Sequence, residues 1–146
     1  MNRIINVGVL GCGYWGPLLV RNFKWLPDCR LKGVCDVNES RLKEIESLYP
    51  NVNFCQDFHQ FLSDSELDAV AIATPVKHHY KLAKACLLAG KHTFIEKPMA
   101  SSSAQCRELI QIAEDIPVLE HLYGGGVGRR AHVLRHIPGA ADVWPS

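Results

Sequence analysis

Three glycines at the spacing Gly11-x-Gly13-x-x-Gly16 close an apolar run, Ile4 to Leu10, and open a segment of helical period. That spacing suits the cradling of a dinucleotide pyrophosphate by bare backbone. Gly11 permits the tight turn, Gly13 lets backbone approach the phosphates, and Gly16 lets the helix pack close to the strand. The phosphates then meet free N–H groups at the positive end of the helix dipole. The spacing gains its weight from context: an apolar strand before it, an amphipathic segment after it, and an acid further on. Asp36 lies twenty positions beyond Gly16, at the end of a second apolar run, where a ribose-binding carboxylate is expected. There it would take paired hydrogen bonds from the adenosine ribose hydroxyls and repel a 2′-phosphate. NAD is therefore expected in preference to NADP, with Arg41 nearby tempering the preference. The competing reading of Asp36 is a simple strand-end acid.

A second group of residues bears on proton transfer. In an open parallel sheet, ligands sit at the carboxyl ends of the strands. Thr74-Pro75 and Glu96-Lys97-Pro98 end two further apolar runs and fall in that zone. Lys97 could hydrogen-bond a reacting hydroxyl or carbonyl and exchange a proton with it. That requires burial or a neighbouring positive charge, such as a nicotinamide ring, to favour its neutral form. Spacing alone reads it as a surface lysine. His78 and His79 open a helix close to where nicotinamide or phosphate would lie, and read equally as structural residues or ligand contacts. No serine or cysteine sits in an elbow motif beside a base, so a nucleophilic hydrolase is not expected.

The elements that must position these residues are legible in order. Pro17 suits a first helical turn, where its missing N–H costs nothing. Leu19, Val20, Phe23 and Leu26 continue that helix as an apolar stripe. Arg30 to Cys35 reads as a second strand. Asn38 caps a helix with Leu42, Ile45, Leu48 and Tyr49 inward. Val52 to Cys55 is a third strand, and Asp57 caps a short helix through Phe58, Phe61 and Leu62. Leu67 to Ala73 is a fourth strand, apolar almost throughout, as one covered on both faces should be. A helix follows with Leu82, Ala83, Cys86 and Leu87 inward and Gly90 at its end. His92 to Ile95 is a fifth strand. Ser101 to Ser103 cap a last helix with Cys106, Leu109, Ile110 and Ala113 on one face, and Ile116 to Leu119 reads as a sixth strand. Strands alternating with helices at this cadence predict an α/β fold, a doubly wound parallel sheet. Residues 1–120 are expected to form this dinucleotide-binding domain. Residues 121–146, with Gly124-Gly125-Gly126 and a basic cluster at Arg129, Arg130, His132, Arg135 and His136, read as an irregular, solvated tail or an anion-binding patch.

Composition narrows the class. The 146 residues are 47% hydrophobic and 21% charged, with net charge +1, a globular profile that asks for no nucleic-acid partner. The six cysteines show no CxxC and no metal-ligand cluster, which reads as reduced thiols in a cytoplasmic protein. Val9-Leu10-Gly11-Cys12 faintly resembles a lipoprotein cleavage box, but the apolar run before it is short and broken by Asn6 and Gly8. No stretch approaches the ~18 apolar residues of a membrane span.

Taken together and in order, several segments resemble the Gfo/Idh/MocA oxidoreductases, the family of glucose–fructose oxidoreductase and inositol dehydrogenase. They are Gly11-Cys12-Gly13-Tyr14-Trp15-Gly16, Cys35-Asp36-Val37-Asn38, Ala73-Thr74-Pro75 with His79, and Ala89-Gly90-Lys91-His92 leading to Glu96-Lys97-Pro98. The resemblance covers roughly residues 4 to 119. It implies a Rossmann fold, NAD as cofactor, Lys97 as the catalytic lysine, and Thr74-Pro75 and Glu96-Lys97 lining the nicotinamide side. Gly11, Gly13, Tyr14, Trp15, Gly16, Asp36 and His79 complete the implied cofactor set, with no metal. It further implies hydride transfer with a sugar, polyol or nucleotide-sugar. Family members continue into a second α/β domain that shapes the substrate pocket and carries the oligomer interface. The sequence stops at Ser146 without that pattern, and its stretch after Glu120 departs from the family, although His121 falls near a histidine often found there. A truncated or frame-shifted reading frame without activity is one expectation. The alternative is a non-catalytic dinucleotide-binding module, a sensor or partner subunit. Exposed sheet surface would favour association into a homo-oligomer.

Overall fold

The computed structural model describes residues 4–115, in which strands and helices alternate. Strand β1 (Ile5–Leu10) is followed by α1 (Gly16–Trp25), β2 (Cys29–Cys35), α2 (Glu39–Glu46) and β3 (Asn53–Cys55). Then come α3 (Phe58–Leu62), β4 (Ala69–Ile72), α4 (Val76–Leu88), β5 (His92–Ile95) and α5 (Ser103–Asp115). The sheet is parallel throughout, in the order β3-β2-β1-β4-β5. The chain winds outward from β1 to β3, then returns to the other side of β1 for β4 and β5. That reversal leaves a crevice beyond the carboxyl ends of β1 and β4, the place where open α/β sheets bind ligands.

Side-chain alternation divides the core into two layers. Val7, Val9, Leu31 and Val34 pack under α1 and α2 with Val20, Phe23, Leu42 and Ile45. Leu10, Val70 and Ile72 pack on the other face with Phe61, Ala83, Leu87 and Leu109. All four residues of β4 are buried, as a strand covered on both faces requires. Pairing of β1 with β2 jumps a register step between Val7 and Gly8, leaving Lys32 unpaired in the ladder. The Lys32 side chain forms an ion pair with Glu66.

Helix ends differ in a way that bears on function. Asn38 caps α2 by accepting from Arg41 N, and Asp57 caps α3 by accepting from His59 N and Gln60 N. The N-cap residues of α1 and α4, Trp15 and Pro75, make no side-chain cap. These two helices start at the crevice, so their first-turn N–H groups are left for something other than a side chain.

Two inward faces are narrower than periodicity predicts. Leu48 is exposed because α2 ends at Glu46 and the chain turns away, with Leu48 N donating to Ile45 O. Ile110 is also exposed; α5 leans on α4, and only the stripe of Cys106, Leu109, Ile112 and Ala113 is covered. The predicted sixth strand at Ile116 to Leu119, His121, the basic cluster and the 121–146 segment lie outside the described residues.

The six cysteines are free. Burial pushes the thiols of Cys12 and Cys86 up to about 12 and that of Cys29 up to about 11, and raises Cys35 further. The thiolate is the reactive species. A thiol reagent at pH 8 should therefore label only the half-buried Cys55 and Cys106 quickly, and reach the other four on unfolding. A fast phase of more than two thiols would contradict this packing. Among the described residues no helix is long and apolar enough to cross a membrane.

Candidate functional site

The crevice is built first by the glycine turn between β1 and α1. Gly11 holds φ at +102°, and a Cβ there would lie 2.8 Å from the Ala73 carbonyl carbon and 2.9 Å from Thr74 N. At Gly16 a Cβ would come within 2.0 Å of the Gly11 carbonyl oxygen. Both glycines are demanded by the protein's own backbone. Gly13 is not: the nearest atom to a Cβ there is Arg41 Nη1, 3.8 Å away. A bare backbone facing open space beside a guanidinium is a cradle for a phosphate, with donors from the turn and the uncapped start of α1. Tyr14 and Trp15 are exposed beside the turn, their rings stacked edge to face at 5.0 Å.

At the end of β2, Asp36 is fixed by the turn itself. Its Oδ2 accepts from Cys12 N at 2.6 Å and its Oδ1 from Asn38 N at 2.7 Å. An ionised carboxylate has about four lone-pair sites. Each oxygen thus keeps acceptor capacity for a ligand hydroxyl, with its orientation already set. The Cys12 N–H contribution was not legible in the sequence, whereas Arg41, read there as tempering the NAD preference, stands beside Gly13. The Cys12 N–H is a backbone group that any residue but proline would supply.

The loops after β4 and β5 form the other half of the site. Glu96 N donates to Ile72 O at 2.9 Å, and this bond closes the ladder between the two strands. Beyond it, Thr74 Oγ1 and Glu96 Oε1 are buried without hydrogen-bond partners. Burial raises the Glu96 carboxyl above its ordinary value, opposed by Lys97 and by His79. Lys97 itself is exposed, and the Lys97–Pro98 peptide is cis.

His79 differs from the expectation that it touches the cofactor. Its ring is 2% exposed, with Nδ1 2.8 Å from the Pro98 carbonyl oxygen and Nε2 2.6 Å from that of Thr74. Both nitrogens are taken by backbone, so none is left for a ligand. The structure brings the glycine turn against Ala73 and Thr74, and Thr74 against the Glu96-Lys97-Pro98 segment through His79. Asp36 is tied to the same turn on its other side.

Uncapped helix starts, an open Gly13 and two orphaned polar atoms all fit a dinucleotide lying across the crevice. Comparison with known proteins agrees. Residues 5–121 match the Gfo/Idh/MocA oxidoreductase family, NAD-binding Rossmann fold. The chain belongs to that family. Among its relatives, the myo-inositol 2-dehydrogenase of Thermotoga maritima is 30% identical over 115 residues, 79% of this chain and 34% of that protein. A glycosyl hydrolase family 109 protein of Shewanella sp. (strain ANA-3) is 31% identical over 119 residues, 75% of this chain and 26% of that protein. A crystal structure of a probable dehydrogenase from Thermotoga maritima superposes with a TM-score of 0.71 at 31% identity, covering 75% of this chain and 33% of that one. The chain thus spans between about a quarter and a third of the length of these Gfo/Idh/MocA relatives. Its cofactor is NAD.

Proposed function

We propose that this chain supplies the NAD half of an oxidoreductase acting on the CH–OH carbon of a sugar, polyol or nucleotide-sugar. The observation that carries the reading is convergence: the glycine turn, Asp36 and the Glu96-Lys97-Pro98 segment all lie at the carboxyl end of the sheet, linked through Cys12 N, Thr74 and His79. NAD bound there supplies hydride exchange at its nicotinamide carbon. Asp36 holds the ribose hydroxyls, the α1 start and Gly13 receive the pyrophosphate, and Thr74 Oγ1 offers a hydrogen bond on the nicotinamide side. Lys97 takes the substrate hydroxyl proton on oxidation and returns it on reduction, and the buried Glu96 beside it contributes counter-charge. The myo-inositol 2-dehydrogenase among the relatives supports a polyol as substrate class. The free cysteines support a cytoplasmic location. Exposed Tyr14, Trp25 and Val37 offer apolar surface that a second copy would cover.

The test is turnover by the full chain. It is titrated with NADH, then given NAD with myo-inositol and a panel of polyols, aldoses and nucleotide-sugars, and NADH production is followed. Lys97→Ala should lower the rate by about 10²- to 10⁴-fold, the range of a lost general acid–base group, while NADH affinity stays within about twofold. Saturable NADH binding without turnover on the whole panel would favour a non-catalytic dinucleotide-binding module instead.

A further inference from the structure

We infer that His79 is a positioning residue that holds the Thr74 and Lys97 loops at one separation and so shapes the nicotinamide pocket without touching the cofactor. The inference rests on the proposed NAD-binding role of this edge and adds to it a residue whose part is mechanical. Its starting point is where the sheet stops. The β4–β5 ladder pairs Ile72 with Ile95 and ends with the Glu96 N to Ile72 O bond. From there the two chains carry Thr74 and Lys97 forward with no strand pairing between them. The His79 ring spans that gap, one nitrogen 2.6 Å from Thr74 O and the other 2.8 Å from Pro98 O.

Three features make this ring a spacer. It is anchored in the first turn of α4, so its position is fixed by a helix that buries Ala83, Cys86 and Leu87 against the sheet. Its two contacts fall on the residues directly flanking the groups of interest: Thr74 itself, and the carbonyl next after Lys97. Imidazole is also rigid, so the distance between the two carbonyls follows from the ring's shape.

Two partial mimics separate the contacts. Asparagine places an amide nitrogen where Nδ1 stood and glutamine one where Nε2 stood, whereas phenylalanine fills the space and donates nothing. The full chain and its His79→Phe, His79→Asn and His79→Gln variants are titrated with NADH and with ADP-ribose, which lacks the nicotinamide. Emission of bound NADH is recorded as a direct report on the nicotinamide environment. In His79→Phe, NADH affinity should fall about tenfold, the scale of a lost buried hydrogen bond, while ADP-ribose affinity stays within about twofold. Bound-NADH emission should move toward that of free NADH. Asparagine and glutamine should each restore part of the difference. A parallel loss for both ligands, or an unchanged NADH to ADP-ribose ratio, would overturn the inference. If the phenylalanine variant does not fold, that ratio in the two amide variants decides alone, a ratio equal to wild type in both refuting the spacer. A wild-type chain that prefers NADH no more than ADP-ribose would instead remove the underlying reading of the site.

Discussion

Gly16→Ala should unfold the cofactor edge, whereas Gly13→Ala, three positions away, should leave the fold intact and weaken NADH binding alone. At position 16 the added methyl would lie 2.0 Å from the Gly11 carbonyl oxygen and 2.8 Å from its carbon. Both atoms are backbone and cannot swing aside. Gly11 cannot retreat either, since it holds φ at +102° and is itself pressed against Ala73 and Thr74. Relief requires opening the turn or lifting α1 off β1, where Leu19, Val20 and Phe23 are buried. The expected loss is about 3 kcal/mol, the upper range for overpacking. That is a large part of a typical domain's stability and about 10 °C or more in Tm. At position 13 the methyl would meet nothing nearer than Arg41 Nη1 at 3.8 Å, so Tm should move by no more than about 2 °C. The same methyl would occupy the space assigned to the pyrophosphate and should cost about tenfold or more in NADH affinity. Thermal melts and NADH titrations on both variants check the contrast. Equal destabilisation by the two would show that the turn needs Gly13 for its own sake.

Asp36→Ala should lower NADH affinity by about 100-fold or more and bring the NADH and NADPH affinities together. The two ribose hydroxyls would each donate to a charged oxygen, and such bonds contribute about 1.5–3 kcal/mol apiece. Geometry favours the full value, because Cys12 N at 2.6 Å and Asn38 N at 2.7 Å hold the carboxylate before any ligand arrives. Removing it also removes the charge that repels a 2′-phosphate, while Arg41 remains beside the turn. Stability should fall as well, by about 1–3 kcal/mol, since the Cys12 N–H loses its acceptor. Calorimetric titration well below the melting point separates the two effects. NADH binding retained within twofold would show that Asp36 is a strand-end acid serving only the turn.

Much of this was legible because it is written in residue types. Gly11, Gly13 and Gly16 announce a turn by spacing, Asn38 and Asp57 announce caps, and the apolar runs announce strands in chain order. The hidden parts are contacts to backbone. Asp36 is oriented by an N–H twenty-four positions earlier, and His79 by carbonyls five and nineteen positions away. Sequence left His79 evenly divided between structural and ligand-contacting roles because a histidine's type is the same in either. Leu48 and Ile110 are exposed, against the periodicity, for another reason. Periodicity identifies a stripe, but the reach of the neighbouring element decides how much of the stripe is covered.

The uncapped starts of α1 and α4 have a consequence for any attempt to toughen the chain. Placing serine or aspartate at Trp15 or Pro75 is the ordinary route to a firmer helix, with a gain of about 1 kcal/mol. At the α1 start the new side chain would seize N–H groups proposed to hold the pyrophosphate, and an aspartate would add a charge of the same sign as the phosphates. Thermostability and cofactor affinity are therefore opposed at this edge, and selection for a hardier variant would be expected to erode the site there first.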